Sequence, residues 1–182
     1  MGKLYDTIDD ELDAWIRRQK MFFVATAPLS ADGHINCSPK GGDYFRIIGP
    51  REVAYLDLTG SGIETVAQVQ ENGRIVIMFC AFEGSPQIVR LHGKATILYS
   101  GDPEFARLSP LFPSHPGARA IVKIAVTRIS DSCGYAVPRF DFVEPRDVLD
   151  KWTARKSREE VTAYWATKNR HSIDALPGNK HA

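Results

Sequence analysis

No stretch of this sequence approaches the roughly 18–20 consecutive apolar residues of a membrane-spanning helix, so a membrane partner is not expected. Charge of one sign is lacking too. Against 23 Lys and Arg stand 22 Asp and Glu, and a net charge of +1 creates no field to gather nucleic acid or an anionic lipid surface. Cysteine is scarce: Cys37, Cys80 and Cys133 are odd in number and far apart, with no C-x-x-C pair, which points to a reducing compartment and away from a zinc site. The five histidines form neither H-E-x-x-H nor a pair four apart, and no protein-held metal is expected. The N-terminal "MGKLYDTIDDELDAW" has no apolar run behind a basic start, and Asp6 stands where a myristoylation motif needs Ser or Thr. A cytoplasmic protein is expected.

What is present suits one domain. A chain of 182 residues with 43% apolar content can bury a real core. The segment 7–20 carries Ile8, Leu12, Trp15 and Ile16 on one helical face, with Thr7 as the expected N-cap. Strand-like runs follow at 21–29, 35–48 and 53–58; the first pair is joined across Asp32-Gly33, and together they read as a meander. A short helix, 63–72, closes on Asn72-Gly73. Further strands are expected at 74–82, 87–99 and 118–133, with a short broken helix near 102–112. Residues 146–182 are read as a helical extension packed on the domain formed by 1–145, with Val148, Leu149, Trp152, Val161, Tyr164 and Trp165 on one face. The fold class is therefore mainly β with flanking helices, a small six-stranded antiparallel barrel.

The stretch "YLDLTGSGIET" is where chemistry is expected. A strand ends at Thr59 and turns on Gly60 and Gly62 into a helix start, where unbonded N–H groups and about half a positive charge suit a phosphate. Thr59, Ser61 and Thr65 add hydroxyls. The P-loop pattern is absent, and Thr65 occupies the third glycine position of the dinucleotide fingerprint. The bland alternative is a capping box made by Ser61 and Glu64. Ser38 and Lys40 lie two apart on a strand and share a face, ahead of Gly41-Gly42. If the fold brings that face to the glycine turn, the two form a phosphate hand.

The order of "FFVATAPLSADGHINCSPKGG", "YLDLTGSGIETVAQVQENGRIVIMF" and "VRLHGKATIL" resembles the pyridoxamine 5′-phosphate oxidase-like family over roughly positions 20 to 130. That resemblance implies a Greek-key-like split β-barrel, a homodimer with sites between subunits, and flavin mononucleotide (FMN) as cofactor. Its phosphate is expected on Ser38, Lys40, Thr59, Gly60, Ser61 and Thr65, its ring over the strand from Asn36 to Lys40, and Arg90 at the pyrimidine edge or phosphate. The chain departs from the true oxidases at Ile63-Glu64-Thr65, where they carry an Arg-Lys pair, and it has no C-terminal Arg-x-His element. The implied function is that of a flavin-dependent oxidoreductase with a small-molecule substrate other than a B6 vitamer. The alternatives are a flavin-binding protein without turnover and a relative binding deazaflavin or haem. Cys133 is read as a small buried residue in preference to a redox thiol. His92 stands as either a packing residue or a proton donor, and Arg119 as either a cleft cation or a solvated side chain.

Overall fold

The computed structural model describes residues 2–180, so His181 lies outside the described residues. The chain runs β1 (Leu4–Tyr5), α1 (Asp10–Arg18), β2 (Met21–Thr26), β3 (Asn36–Gly41), β4 (Phe45–Gly49), β5 (Glu52–Leu58), α2 (Glu64–Asn72), β6 (Arg74–Cys80), β7 (Ile88–Leu98), α3 (Pro103–Leu108), β8 (Ala118–Ser132), α4 (Val148–Thr153) and α5 (Arg158–Lys168). The sheet path is β3-β2-β6-β7-β8-β5-β4, with β1 added beside β8, and every pairing is antiparallel.

The two ends of that path are nearly adjacent in the chain, because only Gly42, Asp43 and Tyr44 separate β3 from β4. The single strand expected at 35–48 is therefore two. Gly42 supplies the break: its φ of 79° lies in the left-handed region, and a Cβ there would strike the Tyr44 ring at 2.7 Å. By linking the ends of its own sheet, the chain closes a split barrel in place of a flat meander.

Alternate residues of the long strands fill the barrel. Phe22, Val24, Val53, Tyr55, Ile77, Phe79, Leu91 and Ile124 are among its fully buried members, and Phe22 packs its ring against Phe45, Tyr55 and Phe79 at 5.2 to 5.8 Å. Helix α1 closes one barrel end with Leu12 and Ile16, joined by Ile8 from the segment before it. Its N-cap is Asp9, not Thr7, and the Asp9 carboxylate accepts from Leu12 N–H at 2.8 Å. Helix α2 ends as expected, on Gly73 with a left-handed φ of 71°. Its buried Ile63 end and Val66 pack on Tyr99 and Ala120.

Beyond β8 the chain runs without regular structure to 147, and Cys133 is exposed there, contrary to the expectation of burial. The helical extension is two helices. Val161 and Trp165 are buried, Trp152 meets Tyr164 edge to face at 5.0 Å, and Val148, expected on the packed face, is exposed.

Candidate functional site

Residues 59–63 carry the chain from β5 into α2, and Thr59 anchors them. Its amide and its hydroxyl both donate to the Gly117 carbonyl, at 2.7 and 2.8 Å, while the hydroxyl accepts from the indole N–H of Trp165 at 2.9 Å. That hydroxyl is a structural tie. Ser61 does not cap α2: the N-cap is Ile63, no side chain bonds the helix start, and the Glu64 carboxylate accepts from Ile173 N–H at 3.3 Å instead. The first intrahelical bond is donated by Ala67 to Ile63 O, at 3.0 Å. Consequently no N–H from Gly60 to Val66 has an acceptor among the described residues.

Strand β3 stands opposite. Asn36, Ser38 and Lys40 share its more buried face, as their spacing predicts. The Ser38 hydroxyl donates to Asn36 Oδ1 at 2.9 Å, and Asn36 Nδ2 donates to Thr65 Oγ1 at 2.9 Å, so the strand is tied to the first turn of α2. The Lys40 ammonium lies 3.3 Å from Asp57 Oδ1, and the Arg119 guanidinium lies 2.9 Å from Asp57 Oδ2. Asp57 is only 1% exposed, so this is a buried carboxylate held between two cations. Burial alone would raise its pKa, but Arg119 and Lys40 outweigh that and hold it below the ordinary carboxylate value. Arg119 also donates to Gly62 O and Asn169 Oδ1, both at 3.0 Å, which makes it a buried support of the turn and no solvated side chain.

Between the turn and β3 opens a cavity of about 500 Å³ whose wall includes Ser38, Lys40, Gly60, Ser61, Thr65 and Arg119. Thr59 reaches it as well, Tyr44 and Leu149 flank it, and Asn36 backs it through Ser38 and Thr65. Arg90 is elsewhere: it donates to Ser132 Oγ at 2.9 Å and is not part of the wall. His92, on the same strand, is also outside it, and burial with the charges of Arg128 and Arg90 pushes its pKa down. Among the described residues no cluster of His, Cys, Asp and Glu can hold a metal ion, and no helix is long and apolar enough to cross a membrane. Asp57, Trp165 and Asn169 escape the sequence reading as site residues. An acid inside the apolar strand "VAYLDL" was the one available signal.

Comparison with known proteins agrees with this architecture. The model of the pyridoxamine 5′-phosphate oxidase family matches residues 8–133. The pyridoxamine 5′-phosphate oxidase family protein ustO of Aspergillus flavus is 37% identical over 98% of this chain and 78% of its own length. Among solved structures, HupZ of Group A Streptococcus is 27% identical with a TM-score of 0.52, covering 67% of this chain and 91% of that one. A protein from Clostridium acetobutylicum related to general stress protein 26 of B. subtilis shares the fold, at 14% identity and a TM-score of 0.52 over 68% of this chain and 86% of that one.

Proposed function

We propose, since the chain belongs to the pyridoxamine 5′-phosphate oxidase family, that it binds flavin mononucleotide and serves as a flavin-dependent oxidoreductase for a small-molecule substrate. One observation carries this reading: the run of N–H groups from Gly60 to Val66 has no acceptor among the described residues, and it borders the cavity. A phosphate dianion is the ligand such a run fits, because each N–H is a donor and the helix dipole adds partial positive charge. The Ser61 hydroxyl and the Lys40 ammonium add donors on either side, although Asp57 shares the ammonium. A volume of about 500 Å³ suits a cofactor.

Flavin, when bound, supplies the hydride chemistry. This chain supplies position. Asn36 and Ser38 fix the face of β3 on which the ring would lie, while Asp57 and Arg119 fix the turn that would take the phosphate. The Arg119 guanidinium is already bonded to Asp57, Gly62 and Asn169, and among the described residues no second arginine lines the cavity. The substrate proposed is a small molecule other than a phosphorylated B6 vitamer, because the C-terminal Arg-x-His element of the true oxidases has no counterpart in this sequence. We further propose a cytoplasmic homodimer in which the second subunit covers the open side of the cavity and brings groups such as Arg90 toward it.

An absorbance spectrum of the purified protein tests the reading, followed by heat release and chromatography of the chromophore. About one FMN per chain is the expected result. A colourless protein that also ignores added FMN would refute it. Flavin that no reductant or acceptor ever turns over would leave a binding protein in place of an oxidoreductase.

A further inference from the structure

The turn from Gly60 to Ile63 has no acceptors for its own N–H groups among the described residues, so something must hold its backbone in place. The answer lies behind the turn. Asn169, fully buried at the C-terminal end of α5, donates from Nδ2 to Gly60 O at 3.0 Å and to Gly62 O at 3.5 Å, and accepts from Arg119 on Oδ1 at 3.0 Å. Trp165, one helical turn earlier, donates to the Thr59 hydroxyl. Neither residue lines the cavity, so both grip the turn from its far side. In a trans peptide the C=O and the next N–H point in opposite directions. Fixing the carbonyls of Gly60 and Gly62 on Asn169 therefore turns the N–H groups of Ser61 and Ile63 away from α5. The tail adds to the clamp, since Gly178 lies so close to Asn169 O and Ile63 that a Cβ would not fit.

We infer that Trp165 and Asn169 are positioning residues for the cofactor phosphate, so that the C-terminal helix sets the preference of the site for a phosphorylated flavin. This rests on the FMN reading above. It separates from mere fold support because riboflavin has the same ring and no phosphate.

The test is a pair of dissociation constants, for FMN and for riboflavin, measured by flavin fluorescence quenching on the full chain. Asn169→Asp keeps the size and the acceptor for Arg119 but removes the donor to Gly60 and Gly62. Trp165→Phe keeps an apolar ring and removes only the N–H. Exposed Thr167 on the same helix supplies a control as Thr167→Ala. The expected result is FMN affinity lower by about tenfold or more in both variants, the loss of one good hydrogen bond, with riboflavin within about twofold of wild type. FMN affinities unchanged within about twofold, or equal losses for the two flavins, would overturn the inference and leave the FMN reading standing. A wild-type chain that binds neither flavin would overturn that reading and this inference with it.

Discussion

Two helices of this chain begin on the same spacing, Ser61-Gly62-Ile63-Glu64 before α2 and Ser157-Arg158-Glu159-Glu160 at α5, and they are built differently. At α5 the box closes: Glu160 N–H donates to the Ser157 hydroxyl at 3.3 Å, and Ser157 N–H donates to the Glu160 carboxylate at 2.8 Å. At α2 it does not, because the helix starts on Glu64 itself, and the glutamate belongs to the first position instead of the third. The lesson is that a four-residue signature fixes spacing but not register. Register at α2 is imposed by contacts far away in the chain, from Arg119, Asn169 and Ile173. One helix start satisfies itself; the other is kept open.

If that backing keeps the α2 start open, removing it is the most damaging change. Arg119→Met would strip the buried Asp57 carboxylate of its closest cation, leave Asn169 Oδ1 without its donor and leave Gly62 O with only the 3.5 Å bond from Asn169 Nδ2. Urea unfolding is expected to show a loss of about 3–5 kcal/mol, as for one partner of a buried ion pair. A loss below about 1 kcal/mol would mean that Lys40 alone satisfies Asp57.

Acid should weaken the same support. The folded pKa of Asp57 lies below its unfolded value of about 3.9, so its contribution is complete above that value and is lost as pH falls through the folded pKa. The stability gap between wild type and Asp57→Asn is therefore expected to shrink, by on the order of 1 kcal/mol, between about pH 6 and about pH 3. A gap independent of pH would show that folding leaves the Asp57 pKa unshifted, and a gap that widens toward acid would show that Asp57 is protonated in the folded state.

The crossed serine pair sharpens the contrast. Ser157→Ala is expected to cost about 1 kcal/mol of stability and to leave FMN affinity unchanged. Ser61→Ala should do the reverse, lowering FMN affinity about threefold to tenfold with the unfolding midpoint in place. If both serines moved stability alone, the two helix starts would be equivalent after all. The smallest effect belongs to Glu64→Gln, which keeps an acceptor for Ile173 and removes a negative charge beside the proposed phosphate. FMN binding is expected to tighten about twofold to threefold, measured at low salt where the effect is least screened.

Much of the fold was legible because apolar runs and turn residues are local signals. The strands at β2, β5, β6, β7 and β8 and the Asn72-Gly73 helix end follow from them directly. The break at Gly41-Gly42 was not legible, since an Asp-Gly or Gly-Gly pair marks a change of direction without saying whether a strand reverses or changes its neighbours. For the site, the period-two spacing of Ser38 and Lys40 put both side chains on one face of β3, the more buried one, which Asn36 shares. Asp57 and Arg119 are separated by 62 positions and Asn169 and Gly60 by 109, so only the closed barrel and the docked α5 bring them together. Arg90 shows the opposite limit: it shares a strand with His92, and nothing in that strand says how far it lies from Lys40.

The most direct test follows the backbone itself. Amide shifts of the ¹⁵N-labelled chain, recorded while FMN is titrated in, would report on each N–H separately. The account predicts that the largest downfield amide proton shifts fall within Gly60 to Val66, where no described acceptor competes, while Glu159, Glu160 and Val161 at the boxed start of α5 stay nearly still. Shifts concentrated in the groove near Arg170, His171 and Lys180, with the α2 start silent, would contradict it.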